Sequence, residues 1–474
     1  MKTTSDVELA APTIACDYLP EPLLAFAQGG RHVDPKEGIA RYGPLSSGES
    51  RHPGQIRVST IGTAETTASA RGWLARLTSG VPGDAKHPEF PGMAADRGFM
   101  STIATDDGWD QLITQAELDS VCETRGPRQR FEHALTLLCE KTAAVADSDQ
   151  RIDYVLVALP PELYRRARVA DYHEAGGMVH RDLRRAYKAA AMKYRLPTQF
   201  LRQSVADGLD KDHPSKIAWN FATAMYLKAG GVPWGATGLT HGTCYLGISF
   251  YRPLRAGANR VQASLVHAFD EYGDGLVLRG QEFEWDTDRE GSRSPHLTTD
   301  QATALTEFAL ARYVAEVKRT PARVVVHKSS RYWAEEREGF RRALVPRVNA
   351  YDLLALEPQH QVRLFAESKY PPLRGTHLRL GDLDFLYTTG FLADLGEYHS
   401  IGVPSPVLIA DHVGQDRTRD VLLREILILT KMNWNSARLG GLLPITLRFS
   451  RLFGDIMKEI PGDREPLTQF KYYV

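Results

Sequence analysis

Residues 216–234, KIAWNFATAMYLKAGGVPW, read as one helix that runs straight into a glycine turn. Gly230-Gly231 ends it, because glycine accepts the backbone that closes a helix, and Pro233-Trp234 leads into a strand. Asn220 and Lys228 stand a little over two turns apart within this helix, and so on broadly the same side. Upstream, Arg184 and Lys188 are four residues apart on a second predicted helix and share a face. That helix ends in the loop Leu196-Pro197-Thr198-Gln199. Two cationic helix faces and an amide converging near one loop make a seat for a single phosphate. They point to a protein that holds a nucleic-acid end.

Outward from this stretch, strands and helices alternate. Residues 55–61 (QIRVSTI) alternate like a strand, and 64–77 and 130–146 read as helices. The apolar run 154–159 (YVLVAL), closed by Pro160-Pro161, suits a buried parallel strand. The pattern predicts an α/β domain up to about residue 230. A second α/β unit follows, with strands at 243–251, 260–268, 275–278 and 323–326 and helices at 299–318 and 334–344. Short strands recur from residue 350 through 407–409, and helices at 418–431 and 444–459 close the chain. The tail 469–474 (QFKYYV) is apolar at its end and is expected to pack down.

The chain has 474 residues, enough for two or three domains with their own cores. Lys+Arg and Asp+Glu both number 58, so a nucleic-acid role has to rest on a local basic groove and not on a global excess. Cys16, Cys122, Cys139 and Cys244 lie far apart with no metal-ligand spacing, which suits reduced thiols. The first residues lack the apolar core of a signal peptide, and no run of about 18 apolar residues occurs. A cytoplasmic protein with no membrane contact is expected. No glycine-rich nucleotide fingerprint or serine-nucleophile elbow stands in a convincing context.

Several motifs, in order, carry a family resemblance. They are Lys188 with Pro197-Thr198-Gln199, the stretch 220–234, and 372–376 (PLRGT). Then come 386–390 (LYTTG), Tyr398 with Pro404-Ser405-Pro406, and Asn433-Trp434-Asn435 with Pro444. The chain resembles the MID and PIWI domains of Argonaute proteins, and in length a short prokaryotic Argonaute. The resemblance implies a Rossmann-like MID domain with an N-terminal segment over residues 1–235, and an RNase H-like PIWI domain over 236–474. It implies that Lys188, Gln199 and Lys228 grip the 5′-phosphate of a guide strand, joined by Arg184 and Asn220. In many prokaryotic members a magnesium ion bridges the phosphate, the glutamine and the C-terminal carboxylate, here Gln199 and Val474. Asn220 reads equally as a structural residue tying a helix to a loop.

An RNase H fold cuts with two metal ions held by carboxylates. By resemblance the first aspartate follows a Gly-Ile pair, and here Gly247-Ile248 leads to Ser249. The second follows the central strand, where this chain has His327-Lys328-Ser329-Ser330, and the last position, near Asn433-Trp434-Asn435, offers amides. A PIWI domain that does not cut is expected, with Asp270, Glu271 and Asp274 as loop acids. His327 and Lys328 read as groove or core-edge residues.

The implied function is that of a guide-loading subunit. It binds a guide RNA, recognises complementary single-stranded DNA, and activates a separate effector. The family pairs such chains, as heterodimers in prokaryotic defence, with an APAZ-containing protein bearing a sirtuin-like or TIR NADase or a nuclease. A metal-dependent nuclease with a non-standard PIWI site, built from the nearby acids, is the alternative. A scaffold with a vestigial pocket is a third reading.

Overall fold

A computed structural model describes residues 14, 16–174, 177–254, 260–268, 275–285, 294–365, 367–398, 402–414 and 418–474. The chain begins with a short strand, β1 (Cys16–Tyr18), and then builds a parallel sheet. Its main strands are β2 (Gln55–Gly62), β3 (Thr102–Thr105), β4 (Tyr154–Leu159) and β5 (Thr198–Arg202), in spatial order β3-β2-β4-β5, and the two-residue strand Gln111–Leu112 pairs with the end of β2 as a fifth. Around it lie α1 (Ala64–Ser79), α2 (Pro127–Ala146), α3 (Leu183–Ala191) and α4 (Pro214–Lys228). β4 shows why its sequence is apolar throughout. Tyr154, Leu156 and Ala158 pack with Trp73 and Leu77 of α1 and Ala222 and Met225 of α4. Val155, Val157 and Leu159 pack on the other face with Phe131 and Leu138 of α2 and Ala186 and Tyr187 of α3. With helices on both faces there is no solvent side for polar residues to occupy.

The second half holds a nine-stranded mixed sheet. It is built from β6 (Thr243–Tyr251), β7 (Arg260–Ala268), β8 (Val277–Glu284), β9 (Arg323–Lys328), β10 (Ala350–Pro358), β11 (Thr376–Leu380), β12 (Leu383–Leu386) and β13 (Val407–Gly414). The order is β1-β11-β12-β13-β10-β9-β6-β7-β8. β9 runs parallel to both β6 and β10, and the other pairings are antiparallel. Helices α5 (Thr299–Val317) and α6 (Ala334–Leu344) cover one face through Leu305, Ala309 and Phe340, against Leu246, Ile248 and Val326. The other face, with Tyr245, Val325 and Leu354, meets α7 (Arg419–Leu429) and α8 (Ile445–Met457), and this core runs on into α1 and α4. One hydrophobic core therefore joins the two sheets.

Some local expectations shift. The helix read over 216–234 runs from Pro214 to Lys228, where Gly231 donates its N–H to Tyr226 O at 3.0 Å. Thr198 and Gln199 open strand β5 and are not in a loop. The strand expected at 275–278 is Val277–Glu284. β1 pairs with β11, so residues 16–18 extend the second sheet, while the strands of the first lie between residues 55 and 202. The apolar tail does pack down, with Phe470, Tyr472, Tyr473 and Val474 buried. No described helix is long and apolar enough to cross a membrane.

Candidate nucleic-acid interface

Tyr154 is the first residue of β4 and Gln199 the second of β5, so both stand at the amino ends of parallel strands. Lys228 is the last residue of α4, and Lys188 lies in the second half of α3. The pocket thus forms at carboxyl ends of helices, where the macrodipole favours cations. The ligand chemistry comes from side chains and not from the free N–H groups of a helix amino end.

Lys188 Nζ donates to Thr198 O at 3.2 Å and to the main-chain oxygen of Val474. Lys228 Nζ donates to Gln199 Oε1 at 2.6 Å, and the same oxygen accepts from Tyr154 Oη at 2.9 Å. Lys228 Nζ also lies 5.7 Å from the centroid of the Tyr154 ring. The tail brings Val474 here through Tyr472, whose hydroxyl donates to Arg195 O at 3.1 Å, and through the buried Tyr473. Arg184, one turn before Lys188, is half-buried and makes no hydrogen bond or ion pair among the described residues. The structure so brings together Lys188, Gln199, Lys228 and Val474, with Arg184 close enough to act on both lysines electrostatically.

The electrostatics are unbalanced. Lys188 and Lys228 are 3% and 2% exposed. Burial holds both far below the ordinary lysine range; Lys228 and Arg184 depress Lys188 further, and Arg184 depresses Lys228. Burial likewise lowers Arg184. Even with a carboxylate counted at Val474, and with Asp182 acting on Arg184, the three cationic groups outnumber the anions beside them. Like charges gathered in a low-dielectric site repel, and an anion supplied from outside relieves them. A terminal phosphate, carrying about −1.5 to −2 charges, has the required sign and size.

Magnesium prefers hard oxygen donors. Val474 offers one, but Gln199 Oε1 is already taken by an ammonium and a hydroxyl. In this arrangement Gln199 does not fit the role of metal ligand.

Asn220 falls elsewhere. Its Oδ1 accepts from Ala437 N at 3.0 Å, tying α4 to the segment before α8. It lines a groove of about 490 Å³ between α4 and the segments around Thr388 and Leu439, together with Lys86, Lys216, Arg438 and Arg448. Burial and the neighbouring Arg438 both lower the Arg448 pKa. At about 1.5 Å per residue, Asn220 is roughly 12 Å along α4 from Lys228. This basic groove escaped the sequence reading because Lys86, Lys216 and the pair Arg438 and Arg448 come from parts of the chain far apart in sequence. Tyr154 escaped it as well, although it is the one residue with a polar tip in an otherwise aliphatic strand.

The second sheet carries no carboxylate at the positions expected for metal. Ser249 is buried on β6, with an unpartnered Oγ. His327 Nδ1 lies 2.8 Å from Thr446 Oγ1 of α8, and burial first, then Arg323, pushes its pKa down to about 3, so the ring stays neutral. Lys328 is ion-paired with the fully buried Glu336. Glu336 also accepts from Leu297 N at 3.0 Å and Trp333 N at 3.0 Å. Asn433 and Asn435 form a local turn: Asn433 Nδ2 donates to Ser436 Oγ at 2.9 Å, and its Oδ1 accepts from Asn435 N at 3.3 Å. The element packed over β6 is instead α8, so close that a Cβ at Gly247 would strike the Thr446 backbone. Asp270, Glu271 and Asp274 lie outside the described residues.

No protein-family model matches the sequence, and no curated protein matches it significantly. Solved structures do match in fold. Clostridium butyricum Argonaute, bound to a guide DNA and a 19-mer target DNA, aligns with a TM-score of 0.66 and 14% identity, over 97% of this chain and 55% of that one. Drosophila Piwi aligns with a TM-score of 0.62 and 12% identity, over 96% and 56%. A. aeolicus Argonaute aligns with a TM-score of 0.56 and 16% identity, over 96% and 55%. The chain spans little more than half the length of these proteins. Its fold is that of the MID and PIWI halves of an Argonaute, a Rossmann-like unit followed by an RNase H-like one.

Proposed function

We propose that this chain holds the 5′-phosphorylated end of a guide nucleic acid and presents the guide for pairing with a complementary strand. The observation that carries the reading is the cationic trio Arg184, Lys188 and Lys228, the two lysines buried and the arginine half-buried, which outnumbers the anionic groups beside it at Asp182 and Val474, in an Argonaute-like fold. Buried charge without internal compensation is costly, and a phosphate supplies the compensation. The groove of Lys86, Lys216, Arg438 and Arg448 offers cations to the backbone beyond the end. Base pairing then supplies sequence information while the protein holds backbone geometry.

In this reading the guide is RNA, the target is single-stranded DNA, and the chain does not cut. Serine at 249 and the neutral His327 offer no carboxylate for a pair of divalent ions. The output then has to come from a second protein, an APAZ-containing effector with NADase or nuclease activity acting in prokaryotic defence. The four free cysteines suit the cytoplasm.

The test is binding of a short 5′-phosphorylated RNA against its 5′-hydroxyl twin, with magnesium and with chelator, using the chain alone and with any co-expressed partner. The expected result is a preference for the phosphorylated strand of roughly tenfold or more, the worth of one or two charge-assisted hydrogen bonds. Equal binding of the two strands rejects the pocket and leaves a scaffold or a general nucleic-acid binder.

A further inference from the structure

Gln199 Oε1 has two donors, Tyr154 Oη at 2.9 Å and Lys228 Nζ at 2.6 Å. An amide oxygen has two lone pairs, so these contacts use its acceptor capacity. What Gln199 retains for a ligand is its Nε2, with two N–H donors. Tyr154 is the fully buried element of this arrangement, packed among Leu156, Trp73 and Met225. Burial raises its pKa well above the ordinary phenol range, so it remains a donor at every physiological pH. Its ring also faces Lys228 Nζ, which limits where that ammonium sits.

We propose that Tyr154 is the positioning residue of the pocket: by engaging Gln199 Oε1 from beneath, it turns the amide so that Nε2–H₂ faces the ligand, making Gln199 a donor to a phosphate oxygen and not a ligand for a cation. The geometry that supports this is the two hydrogen bonds converging on one oxygen and the complete burial of the tyrosine. Without the hydroxyl only Lys228 would hold the oxygen, and Lys228 is itself a donor for which the phosphate competes. With the amide so held, the pocket meets phosphate with donors only: two ammonium groups and one amide. The inference rests on the guide-end reading above and assigns the polarity of that site.

Two variants test it in the full-length chain, using the same 5′-phosphorylated and 5′-hydroxyl RNA pair with magnesium or with chelator. Tyr154→Phe keeps the ring in its core and removes only the hydroxyl. The phosphate preference should fall about fivefold to tenfold, the worth of one oriented hydrogen bond, with 5′-hydroxyl binding unchanged. A purely structural tyrosine would instead weaken both strands alike. Gln199→Glu, at a half-buried position, keeps the shape and replaces the donor end with a second acceptor carrying charge. It should abolish the phosphate preference with or without magnesium. If Gln199 held the cation, the carboxylate would be the better ligand and phosphate binding in magnesium would be kept or strengthened, which overturns the assignment. Full preference retained in Tyr154→Phe overturns it too. Absence of any preference in the parent chain removes the guide-end reading itself, and this inference with it.

Discussion

Lys228 and Lys328 are equally hidden, each 2% exposed, yet they sit in opposite electrostatic surroundings. Lys328, at the end of β9, is answered by Glu336, whose carboxylate also accepts from two backbone N–H groups and lies 2.9 Å from His296 Nδ1. Lys228, at the end of α4, is answered by an amide and has Lys188 and Arg184 for neighbours. A buried cation with an internal partner is a finished piece of structure. Buried cations that face one another with no carboxylate bonded to either ammonium nitrogen except what Val474 offers leave a site that an outside anion can complete. Lys431 and Arg374 side with Lys328: both are bonded directly to the buried carboxylate of Glu21, at 2.8 and 2.7 Å, and spend further donors on the carbonyls of Pro22 and Leu427, which fastens the N-terminal segment to the second half.

The comparison can be broken by removing one partner from each cluster. Glu336→Gln strands Lys328 in the core and should cost about 3–5 kcal/mol in chemical denaturation. Phosphate preference per folded molecule should stay unchanged. A loss under 1 kcal/mol would mean that Lys328 is not held as a charge. Lys228→Met should act in the reverse sense. Phosphate preference should drop roughly tenfold to a hundredfold, since a charged hydrogen bond contributes about 1.5–3 kcal/mol. The ligand-free protein should meanwhile gain about 1 kcal/mol as a desolvated, repelled charge is replaced by apolar volume. A variant both less stable and unaltered in preference would make the two clusters alike.

An effect confined to acid pH sharpens the contrast at the sheet. His327 is neutral in the folded chain, with its pKa pushed down to about 3, against 6.5 for an ordinary histidine. Between those values the unfolded chain takes up a proton that the folded chain refuses, so stability falls as pH is lowered through that window. His327→Gln should flatten that limb of the stability–pH curve. An unchanged limb would show that the ring does take a proton in place, as an acid–base residue needs to.

Much of this was legible in the order of the residues. The unbroken run YVLVAL at 154–159 announced a strand covered on both faces, and 243–251, 260–268 and 334–344 appear as elements with those same bounds. Periodicity reports which faces are buried, and it does so wherever one face differs from the other or neither meets water. Asn220 shows the limit of such spacing. Eight residues along a helix is 80° past two full turns, enough to aim Asn220 at Ala437 while Lys228 reaches Gln199.

By itself the sequence determined the local elements, the two α/β units and the residue types able to seat a phosphate, because these follow from period, composition and reach along one segment. Only the tertiary structure decided which cations share a pocket, that Val474 arrives from the far end of the chain to meet Lys188, and that Tyr154 occupies the oxygen of Gln199. It also decided that Lys328 belongs to Glu336 and not to a ligand. Those are questions of counter-charge, and in a folded chain a charge is answered by whatever packs beside it, however distant in sequence.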